Sequence, residues 1–220
     1  MTLTARSTAT ETWGEASVRL PRATDWLNDC FDRGMHVGVQ LAVTHAGTVI
    51  CGSQGAATTT EPMRDDTLIL PLCGSLPMVA AAAVRAMDAG LMGPSDPLHR
   101  FLPEAAGTSL GEVTVQAALS HAVTGVDLTS QPPVEEYLRP LDDARQLVLD
   151  RVRRRPVRAG EDAVYTTWPF ILVASALERV FESPLQELMR REVFEPLGMM
   201  DTWMGMPDDV VDRYREEGWL

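Results

Sequence analysis

The run Leu76–Leu91, LPMVAAAAVRAMDAGL, constrains the fold more than any other part of this 220-residue chain. Its alanines, with Val79, Val84 and Met87, have high helix propensity, and almost no polar surface interrupts them. A helix that is apolar on most sides has to be surrounded by other elements, and Gly90 is placed to end it. Its amino end is the segment Cys73-Gly74-Ser75, which delivers a thiol and a hydroxyl to the start of a buried helix.

The rest of the chain supplies the surroundings. TETWGEASV is polar and without period, so residues 1–16 are expected to form a flexible arm. In PRATDWLNDCFDRGM, Trp26, Leu27, Cys30 and Phe31 recur at helical spacing before Gly34. VGVQLAVTHAGTVICGSQGAA is rich in β-branched residues and broken at HAG, which predicts two strands and a tight turn. Thr67–Leu72 reads as a further strand leading into Gly74 and Ser75. Then come a proline-rich connection, a short helix in VTVQAALSHAVTG, a loose polar segment over 127–140 and helices over LDDARQLVLDRVRRRP, Trp168–Phe181 and Pro184–Phe194. Every strand lies before residue 75, and a sheet of so few strands has little stability alone and leaves edges open.

Charge narrows the partners. With 31 acidic against 19 basic side chains the formal net charge is -12, which repels polyanions and argues against nucleic acid. The amino terminus lacks an apolar core behind a basic start, and no segment has the roughly 18 uninterrupted apolar residues of a membrane span. The expected setting is cytoplasmic, without membrane attachment. Cys30, Cys51 and Cys73 are odd in number and scattered, which suits a reducing compartment, and they lack metal-ligand spacing with any histidine. No metal or cofactor is expected.

Three segments carry a family resemblance. RDDTLILPLCGSLPMVAAAAVRAMDAGLMGPSDPLHRFLPE, VTVQAALSHAVTGV and RAGEDAVYTTWPFILVASALERVFESPLQELMRREVFEPLGMMDTWMG occur in order between about Gly38 and Gly205. Together they resemble the serine β-lactamase and DD-peptidase superfamily, in its class C β-lactamase and esterase branch, related to penicillin-binding proteins. The resemblance implies an α+β, β-lactamase/transpeptidase-like fold, an antiparallel sheet packed by helices beside a mainly helical region. Residues 17–220 then form an incomplete domain, its sheet portion about 17–75 and its helical portion about 76–205, with the late strands missing.

The family's site residues carry over in part. Its nucleophilic serine matches Ser75 and its proton-moving tyrosine matches Tyr165, the two catalytic candidates. The lysine three residues after the serine, which takes the serine's proton, is Met78, and a thioether accepts no proton at neutral pH. The substrate-positioning asparagine is Thr167, and a later Lys- or His-x-Gly motif is absent from this chain. His121 and Cys73 are the remaining candidates for contacting a ligand. Each has a plainer role: Ser75 as a helix cap, Tyr165 as a packed ring, His121 as a turn-holding side chain and Cys73 as inert packing.

Three functions follow from this reading. In the leading one the chain is a pseudoenzyme, a scaffold that binds a small molecule or supports non-covalent chemistry. Alternatively it is an active serine esterase, amidase or acyltransferase in which Ser75 uses a substitute base such as His121. A third reading makes it one half of a homodimeric or two-chain assembly in which a partner completes the sheet.

Overall fold

The computed structural model describes residues 9–124, 140–154, 156–160 and 165–217. They divide into two compact units, one formed by the chain up to Ile69 and again from Arg213, the other by Leu70–Asp212.

The first unit contains helices α1 (Ala9–Arg19) and α2 (Pro21–Asp32) and an antiparallel hairpin of β1 (Gly38–His45) and β2 (Thr48–Gly55). The hairpin turn is Ala46-Gly47, both left-handed at φ 47° and 78°, between the paired residues His45 and Thr48. Two such residues match the twist of the strands they join. Helix α1 lies against β2, burying Trp13 and Ala16. Of the segment expected to be a flexible arm, residues 9–16 belong to α1 and residues 1–8 lie outside the described residues. Trp13 and Ala16 lie three apart, on one face, and they bury that face while the polar positions stay outward.

Thr67–Leu72 also departs from expectation, since it forms no strand. Pro71 has no N–H to give a ladder, and Leu72 turns to φ 45°, which ends any extended run. The segment before it is held instead by a side chain: Gln40 Nε2 donates to the carbonyls of Arg64 at 2.6 Å and Thr67 at 2.8 Å.

In the second unit a 3₁₀ turn, Leu72–Ser75, opens helix α3 (Leu76–Asp88). Helix α4 (Val115–Leu119) follows two further 3₁₀ turns, Leu98–Arg100 and Pro103–Ala105. A two-residue strand β3 (Val123–Thr124) pairs antiparallel with β4 (Arg158–Ala159). Helices α5 (Leu141–Arg154), α6 (Trp168–Phe181) and α7 (Leu185–Met189, running into a π turn at Arg190–Phe194) follow, and the last described helix, α8 (Asp208–Glu216), contains the division at Asp212–Arg213. The segment expected to be loosest lies outside the described residues except at Pro140. The boundary at Ile69–Leu70 also falls earlier than the division at 75–76 expected from the sequence.

Helix α3 packs on α6, which also meets α4, α5 and α7. Val79, Ala82, Ala83 and Ala86 are the buried stripe of α3, at the spacing of one helical face. Val84 remains half exposed, so α3 is less enclosed than its composition suggested. Its end is a Schellman motif: Gly90, at φ 70°, donates to Met87 O and Leu91 to Ala86 O, each at 2.9 Å. Helix α6 is the more central element, with Leu172, Val173, Ala176 and Leu177 buried.

A carboxylate ties three of these pieces together. Glu104 accepts two bonds from Arg179 of α6, at 2.7 and 2.8 Å, and lies 3.3 Å from Arg145 Nε of α5. Burial alone would raise its pKa; the Arg179 hydrogen bonds and the two guanidinium charges override this and hold it below the ordinary glutamate value. Among the described residues no helix is long and apolar enough to cross a membrane.

Candidate functional site

The amino end of α3 is where chemistry was expected, and its local geometry follows from the sequence. Pro77 sits in the first helical turn, where its missing N–H is harmless. Leu72, a non-glycine residue in the left-handed region, redirects the chain just before Cys73. The two reactive side chains then part company.

Ser75 turns back on its own turn. Its hydroxyl donates to the Leu72 carbonyl at 2.7 Å, and although Ser75 occupies the cap position of α3, its side chain makes no capping bond. The expected capping role is corrected accordingly: Ser75 has helical dihedrals, φ -74° and ψ -22°, whereas a capping side chain needs an extended backbone to reach the free N–H groups. Met78, one turn on, packs against the hydrophobic core of this unit. No base faces the serine from that position.

Cys73 instead lines a cavity of about 360 Å³, together with Leu76, Pro77 and Ala80 of α3, Leu119 of α4, His121, Tyr165 and Phe170 of α6. The floor is apolar, and one edge carries a thiol, an imidazole and a phenol. Tyr165 lines the same cavity, and the neighbouring Cys73 thiol, followed by desolvation, pushes the Tyr165 pKa above the ordinary phenol value. Ser75 and Met78 are not among the lining residues.

His121 is held at the same edge. Its ring lies 5.0 Å from that of Tyr165 and 5.2 Å from that of Phe170. Nδ1 lies 3.0 Å from the Thr166 carbonyl oxygen and 3.5 Å from the Thr166 backbone N–H nitrogen, which together hold the ring in place. Like Leu72, His121 is left-handed, at φ 55°. Such a conformation strains a non-glycine backbone by about 1–3 kcal/mol, and here two such residues flank one cavity.

Thr167 stands at the start of α6, where its carbonyl accepts from Phe170 N at 3.1 Å; its side chain makes no cap and does not line the cavity. The structure thus brings Cys73, His121 and Tyr165 together and leaves Ser75, Met78 and Thr167 out. The apolar lining escaped the sequence reading. Leu76 and Ala80, four apart on one partly buried flank of α3, were its visible signal.

The description Beta-lactamase belongs to the family model that matches residues 27–219. Among solved structures the chain is similar to the D-amino acid amidase from Ochrobactrum anthropi SV3 complexed with L-phenylalanine amide, at 24% identity and a TM-score of 0.69, covering 81% of this chain and 51% of that one. It is also similar to D-alanine carboxypeptidase AmpC from Burkholderia cenocepacia, at 18% identity and TM-score 0.68, covering 92% and 52%. A third is the octameric penicillin-binding protein homologue from Pyrococcus abyssi, at 17% identity and TM-score 0.65, covering 82% and 43%. The chain therefore spans about half the length of these structures. No curated protein matches it.

Proposed function

The chain belongs to the β-lactamase family, and we propose that it has left the family's serine chemistry and uses the cavity beside α3 to bind a small molecule. The observation that carries this reading is the Ser75 hydroxyl donating to Leu72 O while Met78 occupies the core where a lysine would accept the serine's proton. General-base assistance is worth about 10²- to 10⁴-fold, so a serine turned to its own backbone beside a thioether is a poor acyl acceptor. The cavity remains suited to a ligand with an apolar body and one polar end, the body against Leu76, Leu119 and Phe170 and the end at Tyr165 and His121.

Intact-mass measurement after exposure to a serine-directed fluorophosphonate, with Ser75→Ala as control, tests it. The expected result is no adduct at Ser75. A stoichiometric adduct lost in Ser75→Ala overturns the reading in favour of an active serine hydrolase or acyltransferase.

We also propose that the hairpin sheet is completed by another chain, a second copy or a partner. Among the described residues β1 pairs only with β2, and a two-stranded sheet leaves edge N–H and C=O groups open to another strand. Light scattering that returns a mass above one chain supports this; a well-behaved monomer in the purified state removes self-association.

A further inference from the structure

We propose that Cys73 is the nucleophile of this cavity and accepts an acyl group from a thioester or an activated ester. The inference rests on the binding reading above and adds a covalent step to it.

Position comes first. Cys73 is exposed and lines the cavity, whereas Ser75, two residues on, does not. The apolar wall of Leu76, Leu119 and Phe170 offers contact surface to the body of an acyl group whose carbonyl lies at the thiol.

Chemistry comes second. A serine hydroxyl needs a strong base to become a nucleophile, whereas a thiol is a few per cent thiolate at neutral pH and attacks carbonyl carbon readily. A cysteine nucleophile thus removes the need for the lysine that Met78 replaces. It retains a use for Tyr165, which lines the same cavity and offers a hydroxyl as donor to the sulfur once the thiol ionises. His121, in the same lining, offers its imidazole as the proton acceptor.

The step balances without an oxidant or reductant. The Cys73 sulfur bonds to the acyl carbon as the bond from that carbon to the leaving sulfur or oxygen breaks. The thiol proton passes through the His121 imidazole to the leaving group. Cys73 thioester and free thiol or alcohol are the products.

The test uses the whole chain, octanoyl N-acetylcysteamine and p-nitrophenyl octanoate as acyl donors, and intact mass with peptide mapping as the readout. Cys51 is the internal control: it is also exposed, but burial of its thiol and the Asp65 carboxylate push its pKa up. The expected result is one acyl group per chain on Cys73, formed at least about tenfold faster than on Cys51, absent in Cys73→Ala and kept in Ser75→Ala. His121→Gln slows acylation with the unfolding midpoint unchanged. Acylation of Cys51 at the same rate as Cys73, or no acylation with either donor, overturns the proposal. A Ser75 adduct would overturn the binding reading as well, so the two failures are distinct. Cys73→Ser, which keeps the size of the side chain, guards against loss of structure in the alanine variant.

Discussion

The Ser75 hydroxyl donates to the carbonyl oxygen of Leu72 at 2.7 Å, a bond inside one 3₁₀ turn that removes the hydroxyl from the cavity its neighbour Cys73 lines. This bond depends on the left-handed Leu72, which brings the carbonyl round beneath the serine.

Restoring the family lysine should therefore not restore activity. Met78 packs against the core, and Met78→Lys has to keep a four-carbon stem there while its ammonium reaches for water, at a cost of about 1–2 kcal/mol. The expected outcome is a lower unfolding midpoint in denaturant with no gain in p-nitrophenyl acetate hydrolysis. A gain of about 10²-fold or more, of the size general-base assistance supplies, would mean that Ser75 is free to turn outward.

The influence of Cys73 on Tyr165 has a spectroscopic signature. Because the thiol is the largest cause of the raised Tyr165 pKa, Cys73→Ala should move the phenol titration down towards the ordinary tyrosine value. Phenolate absorbance against pH, with Tyr165→Phe subtracted to remove Tyr137 and Tyr214, reads the change. An unmoved midpoint would separate the two side chains in solution.

Glu104 makes acid stability predictable. Its pKa is lowered in the folded chain, so the unfolded state binds the proton more readily there and the stabilisation is present above the unfolded glutamate pKa. It is lost as pH falls through the lower folded value. Glu104→Gln is expected to cost about 1–3 kcal/mol at neutral pH and much less at pH 3, because it breaks partly exposed, charge-assisted bonds to Arg179. Urea unfolding of both proteins at the two pH values reads the difference.

The elements written most clearly in the sequence are those decided by local chemistry. Ala46-Gly47 fixes the hairpin because the turn needs two left-handed residues, and Gly90 ends α3 for the same reason. Thr67–Leu72 misled because an apolar, β-branched run shows that a strand is allowed, while a strand also needs a neighbour with free N–H and C=O groups. At the site, the motif spacing located the turn but not the direction of its side chains. A left-handed Leu72 and a 3₁₀ turn, neither visible in motif spacing, set the directions of Cys73 and Ser75.

Gly52 illustrates a contact that no spacing rule would find, and it yields the sharpest stability prediction. The backbone of α1 approaches β2 so closely that a Cβ on residue 52 would stand 3.0 Å from Ala16 Cβ and 3.1 Å from Thr12 O. The second of these is backbone and cannot swing away, so Gly52→Ala has to push α1 outward. Overpacking of this kind destabilises by about 1–3 kcal/mol, and Gly52→Val should exceed that. Hydrogen exchange is the discriminating readout. If the clash is local to α1, amides of α1 and β2 lose protection while those of α3 and α6, in the other unit, keep theirs. Uniform loss across all four elements would instead mean that the two units unfold as one.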